Sequence, residues 1–431
     1  MPTATLLLDG RVLIAGDRTA DLFDPRSGQF TRTGDLKVER IEHSATRLPD
    51  GRVLIAGGGF TRSAVGAISF NASAEIYDPA TGTFAFTSDM DLVRRGNRGT
   101  LLANGKVLIT GGAEPFHDFN RRAMLFDPAS ETFSPTGEMV SGQFYHTATL
   151  LSDGRVLLTN GSYGGDPSDF DWVRPEIYDP ATGVFFPLPE MAIPGVHFLR
   201  ATLLPNGKVL LSGGWRYDGQ PVSAELFDPA TGRFSPSSDT KRPLGPTATL
   251  LSDGTVFLGN GEIYDPATDR FSGTGEGTNN RFNQVATLLA DGAVLLTYYS
   301  NAVTPTGLQA IYTPVRRLPP PALFTLPSGT LGQGAILHAD THLPVGQANP
   351  AVAGEALEIY LTGLLDGSVI PPQVSIGGRL AEVLYFGRAP GLANINQINV
   401  RVPAGIAPGP TVSVRLTYIG RPSNEVTIAV Q

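Results

Sequence analysis

One phrase recurs along this chain: a short strand of small residues, an Asp-Gly or Asn-Gly pair, and a β-branched run. It reads ATLLLDGRVLIAG ending at Gly16, SATRLPDGRVLIAGGG ending at Gly59, GTLLANGKVLITGG at Gly112 and TATLLSDGRVLLTNG at Gly161. ATLLPNGKVLLSGG at Gly214, TATLLSDGTVFLGNG at Gly261 and VATLLADGAVLLTYY at Tyr299 complete the set. The hairpin glycines are Gly10, Gly51, Gly105, Gly154, Gly207, Gly254 and Gly292, spaced 38–54 residues apart. A second phrase follows each first one: Phe23-Asp24-Pro25, Tyr77-Asp78-Pro79, Phe126-Asp127-Pro128, Tyr178-Asp179-Pro180, Phe227-Asp228-Pro229, Tyr264-Asp265-Pro266 and Tyr312-Thr313-Pro314. Most of these run on to a closing Phe, at Phe84, Phe133, Phe185, Phe234 or Phe271.

Asp-Gly and Asn-Gly between apolar runs mark tight hairpins, because these residues tolerate positive φ. Asp-Pro-Ala-Thr-Gly is a second turn, in which Pro presets φ and Gly accepts the left-handed conformation. Each repeat therefore holds four short strands. Four-stranded meanders at this period predict the blades of a β-propeller, and seven copies predict seven blades. A solenoid would have shorter repeats and capping units.

The recurring pattern resembles the kelch motif, over residues 1–317. The resemblance implies an all-β fold, a seven-bladed kelch β-propeller. Phe stands where kelch repeats usually close with Trp, and units one, four, six and seven lack a clean Gly-Gly. Pro319, Pro320 and Pro321 follow so soon after Tyr312 that unit seven is expected to lack its fourth strand. Because the chain begins abruptly at the first strand of unit one, a trimmed natural sequence is expected, with ring-closing residues upstream.

Residues 318–350, rich in Pro, Gly and Ala, read as a connector. Beyond them, over 351–431, Leu357–Leu364, Val374–Gly387, Ile395–Pro403, Thr411–Tyr418 and Asn424–Val430 alternate with turns, the strand spacing of a small β-sandwich. The phrases Ile376-Gly377-Gly378-Arg379 and Gln397-Ile398-Asn399-Val400-Arg401-Val402-Pro403 resemble the Ig-like, TIG-type domains of secreted bacterial proteins. That resemblance implies an extracellular or cell-surface protein and no chemistry.

Composition narrows the function classes. A net charge of −8 argues against wholesale nucleic-acid binding. No apolar run reaches the roughly 18 residues a membrane span needs, and the N-terminus has no signal-peptide pattern. The absence of Cys excludes disulfides, thiol catalysis and Cys-metal sites. A monomer is expected.

Topology sends the near-identical turns to one rim and the variable loops to the other, where binding residues concentrate. Residues eight before each hairpin glycine are expected to ring the channel mouth: Pro2, His43, Asn97, His146, Leu199, Pro246 and Gln284. Around them cluster Arg40, Arg94, Arg98, Arg200, Arg281 and His197. Arginines give bidentate contacts to carboxylates, so the cluster predicts a funnel for an anionic polysaccharide or acidic peptide. The same arginines could instead pair with neighbouring acids at the blade junctions. Trp172, Trp215 and Tyr217 offer aromatic faces for sugar stacking, or pack loop against loop. Asp166, Asp169 and Asp171 could hold calcium through oxygen ligands, although their spacing is not that of an EF-hand.

The segment Phe144-Tyr145-His146-Thr147-Ala148-Thr149-Leu150 resembles the part of the galactose oxidase family that supplies a Tyr and a His to copper. Trp215 after Gly213-Gly214 resembles that family's stacking Trp, and the domain order is the same. A Tyr-His pair can bind a transition metal if two more N or O ligands join it. The family's cross-linked Tyr–Cys cofactor has no counterpart, since the chain lacks Cys. Its other copper Tyr would fall on Glu42 or Arg98, and His338 and His342 do not match its last His motif. A radical-copper oxidase is therefore not expected. A polysaccharide lyase would use Tyr145, His146 or His43 as acid and base beside an Arg. The reading carried forward is a binding module, with a glycan-acting enzyme centred on Tyr145 and His146 as the alternative.

Overall fold

The computed structural model describes residues 2–59, 71–114, 120–159, 174–192, 197–215, 224–238, 247–274, 284–298, 310–327 and 332–431, with only the backbone for His197, Phe198, Trp215 and Tyr298. Among the described residues every regular element is a β-strand. Six four-stranded antiparallel sheets follow one another, each in simple sequential order, and a three-stranded sheet comes seventh. The first runs Thr3–Leu6, Val12–Gly16, Thr19–Asp24 and Gln29–Arg32. The seventh runs Gln284–Leu288, Val294–Tyr298 and Ala310–Tyr312, so among the described residues it has no fourth strand.

The two repeated phrases act as turns. In all seven hairpins the Asp or Asn side chain accepts the backbone N–H two residues on, at 2.9–3.1 Å. The Asp of the second phrase does the same in six sheets, at 2.8–3.0 Å. That second turn closes on a left-handed residue. It is Gly at Gly28, Gly82, Gly183 and Gly232, but Glu131 (φ 54°) and Asp269 (φ 51°) in the third and sixth sheets. The closing Phe packs on the aromatic of the second phrase, with ring centroids 4.7–4.9 Å apart in six sheets.

Each sheet buries its faces against the next. One apolar cluster joins the first two sheets through Leu13, Ala15, Val53, Ile55 and Tyr77. Corresponding clusters join every later neighbour pair. Leu6, Val12, Ile14, Leu289 and Leu295 join the seventh sheet back to the first. The first strands follow the same cycle: Thr3–Leu6 touches Ser44–Arg47 on one side and Gln284–Leu288 on the other. The innermost strands thus form a closed ring around an axis.

The C-terminal part contributes two five-stranded sheets over one core that includes Leu357, Ile359, Val374, Ile398, Val414 and Ile428. The stretch expected to be a connector supplies two of these strands, Ala322–Leu323 and Ile336–His338, both paired with Ala356–Thr362. This pair of sheets sits against the hairpin-turn side of the ring. Arg47 Nη2 donates to Thr417 Oγ1 at 3.1 Å, Val369 N to Pro205 O at 2.9 Å, and Arg421 Nη1 to Leu318 O at 2.8 Å.

Candidate functional site at the axial mouth

Just before the first strands of the second, third and fourth sheets, three matching residues sit in the left-handed region: Glu42 (φ 58°), Gly96 (φ 69°) and Tyr145 (φ 55°). Gly reaches this conformation freely, whereas other residues pay roughly 1–3 kcal/mol for such strain, which clusters at functional sites. Here two large polar side chains occupy positions where the third copy has Gly. Both reach the same space at the axial mouth. The Tyr145 hydroxyl donates to the Glu42 carboxylate, and Arg95 Nε lies 2.7 Å from Glu42 Oε2.

That space is a cavity of about 290 Å3, walled by strand starts from several sheets and by Glu42, Tyr145, Arg98 and Arg200. Arg98 Nε donates to His146 O at 2.7 Å. Among the described residues no carboxylate pairs with Arg98 within ion-pair distance; Tyr145 and Glu42 act on it only through the field. Burial lowers the pKa of both arginines, that of Arg200 to about 10, and Arg98 lowers it further by repulsion. Two guanidinium groups thus share one partly desolvated cavity, with the Glu42 carboxylate at its edge. Burial first, and then Glu42, hold the Tyr145 phenol well above its ordinary pKa, so it remains a protonated donor.

Of the residues expected to ring the mouth, Pro2 and His43 line the cavity, Asn97, His146, Leu199 and Gln284 do not, and Pro246 lies outside the described residues. His43 and His146 are 3% and 0% exposed. His43 Nε2 meets Thr3 Oγ1 at 2.9 Å, and His146 Nε2 meets Thr110 Oγ1 at 2.7 Å. Asn97 Nδ2 donates to Ser44 Oγ at 3.0 Å. Each side chain therefore ties its own sheet to the preceding one. Leu199 and Gln284 are buried too. Burial takes both histidines down to about 3, with repulsion from Arg40 adding for His43 and from Arg98 for His146, so both rings are neutral.

Arg40 and Arg94 are fully buried and do not face the mouth. Arg40 pairs with Glu75 at 2.9 Å and donates to Gly57 O and Ser73 O; Arg94 pairs with Asp91 at 2.9 Å. For these two, pairing at a sheet junction replaces the expected funnel role. Of the expected cluster, Arg98, Arg200 and Tyr145 come together. His197 and Trp215 pair by backbone across one hairpin. Arg281, Trp172, Tyr217, Asp166, Asp169 and Asp171 lie outside the described residues. Among the described residues no group of three His, Asp or Glu is arranged to hold a metal ion. His338 and His342 pair with Glu355 and Glu358 in the C-terminal sheets, away from the mouth.

Sequence reasoning missed the buried carboxylates. Glu75, Glu176, Glu225 and Glu262 each stand two residues before the aromatic of the second phrase. Lys37 N, Val140 N and Ala192 N donate to the first three, so these carboxylates fasten the chain entering their sheets. Their fixed offset in four repeats was the available signal. Glu42 enters the sequence reading only at the place of the oxidase family's other copper Tyr, because no sequence pattern reports a left-handed backbone at Glu or Tyr.

No protein-family model matches the chain, and no curated protein matches it. Solved structures do. One is a fungal alcohol oxidase of the AA5 family in complex with copper, 15% identical, with a TM-score of 0.60, covering 99% of this chain and 96% of that one. At that identity the likeness is one of fold, extending through both the ring and the C-terminal sheets.

Proposed function

We propose that the chain is a seven-bladed kelch-like propeller with a C-terminal Ig-like sandwich, and that its axial mouth binds an anionic polysaccharide outside the cell. The observation that carries this reading is the convergence of Arg98 and Arg200 on the cavity that also receives Tyr145. Guanidinium groups match carboxylates in shape and charge, and a desolvated cavity strengthens that match. The volume of about 290 Å3 lies near the lower end of ligand pockets, roughly 300–1,000 Å3. It suits one acidic sugar unit, with the Tyr145 hydroxyl as a further donor.

Calorimetric titration with oligogalacturonate, beside the matching neutral oligosaccharide and an oligoglutamate, tests this. Wild type should bind the uronate, Arg98→Ala and Arg200→Ala should each weaken it about tenfold or more, and rising salt should weaken it further. Equal binding of the neutral sugar, or no effect of either substitution, overturns the reading. Tighter binding of oligoglutamate moves the ligand class to acidic peptides.

The fold likeness to a copper alcohol oxidase favours an oxidase as the second reading. The described donors do not fit copper. The Tyr145 hydroxyl is engaged by Glu42, the buried His43 and His146 rings are each bonded to a Thr hydroxyl, and the chain has no Cys to cross-link a Tyr. A lyase would need a base in the cavity: the Glu42 carboxylate beside Tyr145 is the described group placed for that role, while His43, held at about 3, is a weak base. Purified protein is expected to carry far less than stoichiometric copper after incubation with Cu(II) and dialysis. Stoichiometric copper that Tyr145→Phe removes would reinstate the oxidase.

A further inference from the structure

A second cavity, of about 410 Å3, lies on the same axis at the opposite end, between the innermost strands and the C-terminal sheets. Four residues before each hairpin glycine stand Leu6, Leu101, Leu150, Leu203, Leu250 and Leu288 in six repeats, and Arg47 in the remaining one. A charge has replaced Leu at one place in this apolar ring. Arg47 Nη1 donates to Leu6 O at 2.7 Å, and Nη2 to Thr417 Oγ1 at 3.1 Å. Among the described residues no carboxylate lies within ion-pair distance of Arg47, and burial alone lowers its pKa to about 10. Arg415 also lines the cavity but is neutralised by Glu425. Among the described residues the cavity wall contains no carboxylate, while Thr5, Thr287, Ser375 and Gln373 offer polar atoms.

We propose that this inner chamber is a binding site for a small inorganic anion, held by the Arg47 guanidinium between the ring and the C-terminal sheets. A half-buried charge without a counter-charge is costly, and an anion in bidentate contact with the guanidinium reduces that cost. The volume of about 410 Å3 exceeds that of roughly ten waters at about 30 Å3 each, so an oxyanion enters with part of its hydration. Arg47 bonds both the ring and the C-terminal sheets, so an occupied site strengthens the joint. The two cavities share Ala4, Thr5 and Ala45 along the axis, but Arg47 lines only the inner one and Arg98 and Arg200 only the mouth, and the site does not depend on the function proposed there.

The test is thermal unfolding of the full chain as sodium phosphate, or in a second series sodium chloride, replaces sodium gluconate at constant ionic strength. An anion bound only by the folded chain raises the melting temperature saturably. Wild type and Arg98→Ala/Arg200→Ala are expected to show that rise, which separates this site from the mouth. Arg47→Leu, the residue of the other six repeats, should weaken the apparent affinity at least tenfold. If Arg47→Leu does not fold, Arg47→Gln keeps a donor, removes the charge and should lose the response likewise. A wild type that responds to neither anion, or an Arg47 variant that responds as wild type does, overturns the proposal.

Discussion

Glu42 and Tyr145 hold a backbone conformation that Gly96 reaches at no cost, and the chain keeps them there because of what their side chains reach. The opposite arrangement prevails one position further on, where His43 and His146 are buried, neutral and committed to the neighbouring sheet. Their titration sets a pH dependence whose sign can be worked out. Both histidines are held at about 3, far below their ordinary 6.5, so their stabilisation is complete above pH 6.5 and is lost as pH falls toward 3. Glu176 works the other way. Burial holds it at about 7 instead of 4.5, against the hydrogen bonds from Val140 N and Gln143, so its stabilisation is complete below pH 4.5 and lost as pH rises through 7. One proton of linkage is worth about 1.4 kcal/mol per pH unit. Between pH 6.5 and 4.5 the two histidines and Glu176 therefore leave a net slope of one proton, and below 4.5 the slope doubles. Urea midpoints taken in pH steps should show that break. Glu176→Gln should remove it by steepening the upper window, whereas parallel curves for the two proteins would contradict the assignment.

At the scale of the strand, the repeated carboxylate explains how neighbouring sheets hold together. Glu75 receives Lys37 N at 2.8 Å and Val38 N at 3.3 Å from the incoming chain and pairs with Arg40, both side chains fully buried. In the third sheet Met124 stands at the position of Glu75, and the matching Arg94 takes Asp91 instead. Removing one member of a buried pair strands the other, at a cost of roughly 3–5 kcal/mol. Glu75→Leu should lose about that much in chemical denaturation, and Arg40→Met added to it should restore most of the loss; a double variant no more stable than the single would argue against the pair. These elements also mark what was legible in the sequence. The hairpins and the aromatic turns were, because each is decided within a few residues by Asp, Pro and Gly. The aromatic pairs followed from the same register. The wall of the mouth was not, because which side chain faces the cavity depends on the left-handed residues at 42, 96 and 145. Spacing alone places His43, Asn97 and His146 at the mouth; His43 does line it, yet all three side chains serve as ties between sheets. Charge selects Arg98 and Arg200, but it equally selects Arg40, whose partner Glu75 comes from a remote part of the chain, and Arg94, whose partner Asp91 stands only three residues away.

In the whole molecule, the ring distributes its apolar burial over seven similar clusters, and the C-terminal sheets keep a core of their own. Two such bodies unfold as one only if their joint couples them. The joint has few polar fasteners, and among them Arg421 is fully buried. It donates to Leu318 O at 2.8 Å, at the exit from the ring, and approaches Ala290 O in the hairpin of the seventh sheet at 3.5 Å. Arg421 lies beside the Gly420 carbonyl that Arg47 approaches at 3.5 Å, so one turn of the C-terminal sheets meets the ring at two points. Arg421→Met keeps most of the length and apolar contact and removes the charge with its two bonds. Each lost bond is worth about 1 kcal/mol, while the desolvated charge no longer has to be accommodated. The two effects nearly cancel in total stability but not in coupling, since both lost bonds link the C-terminal sheets to the ring side. Calorimetry of wild type should show one unfolding transition. The variant should show two, with the C-terminal sheets separating from the ring at little change in total enthalpy. A single transition shifted as a whole would mean that the apolar contacts at the joint, and not Arg421, carry the coupling.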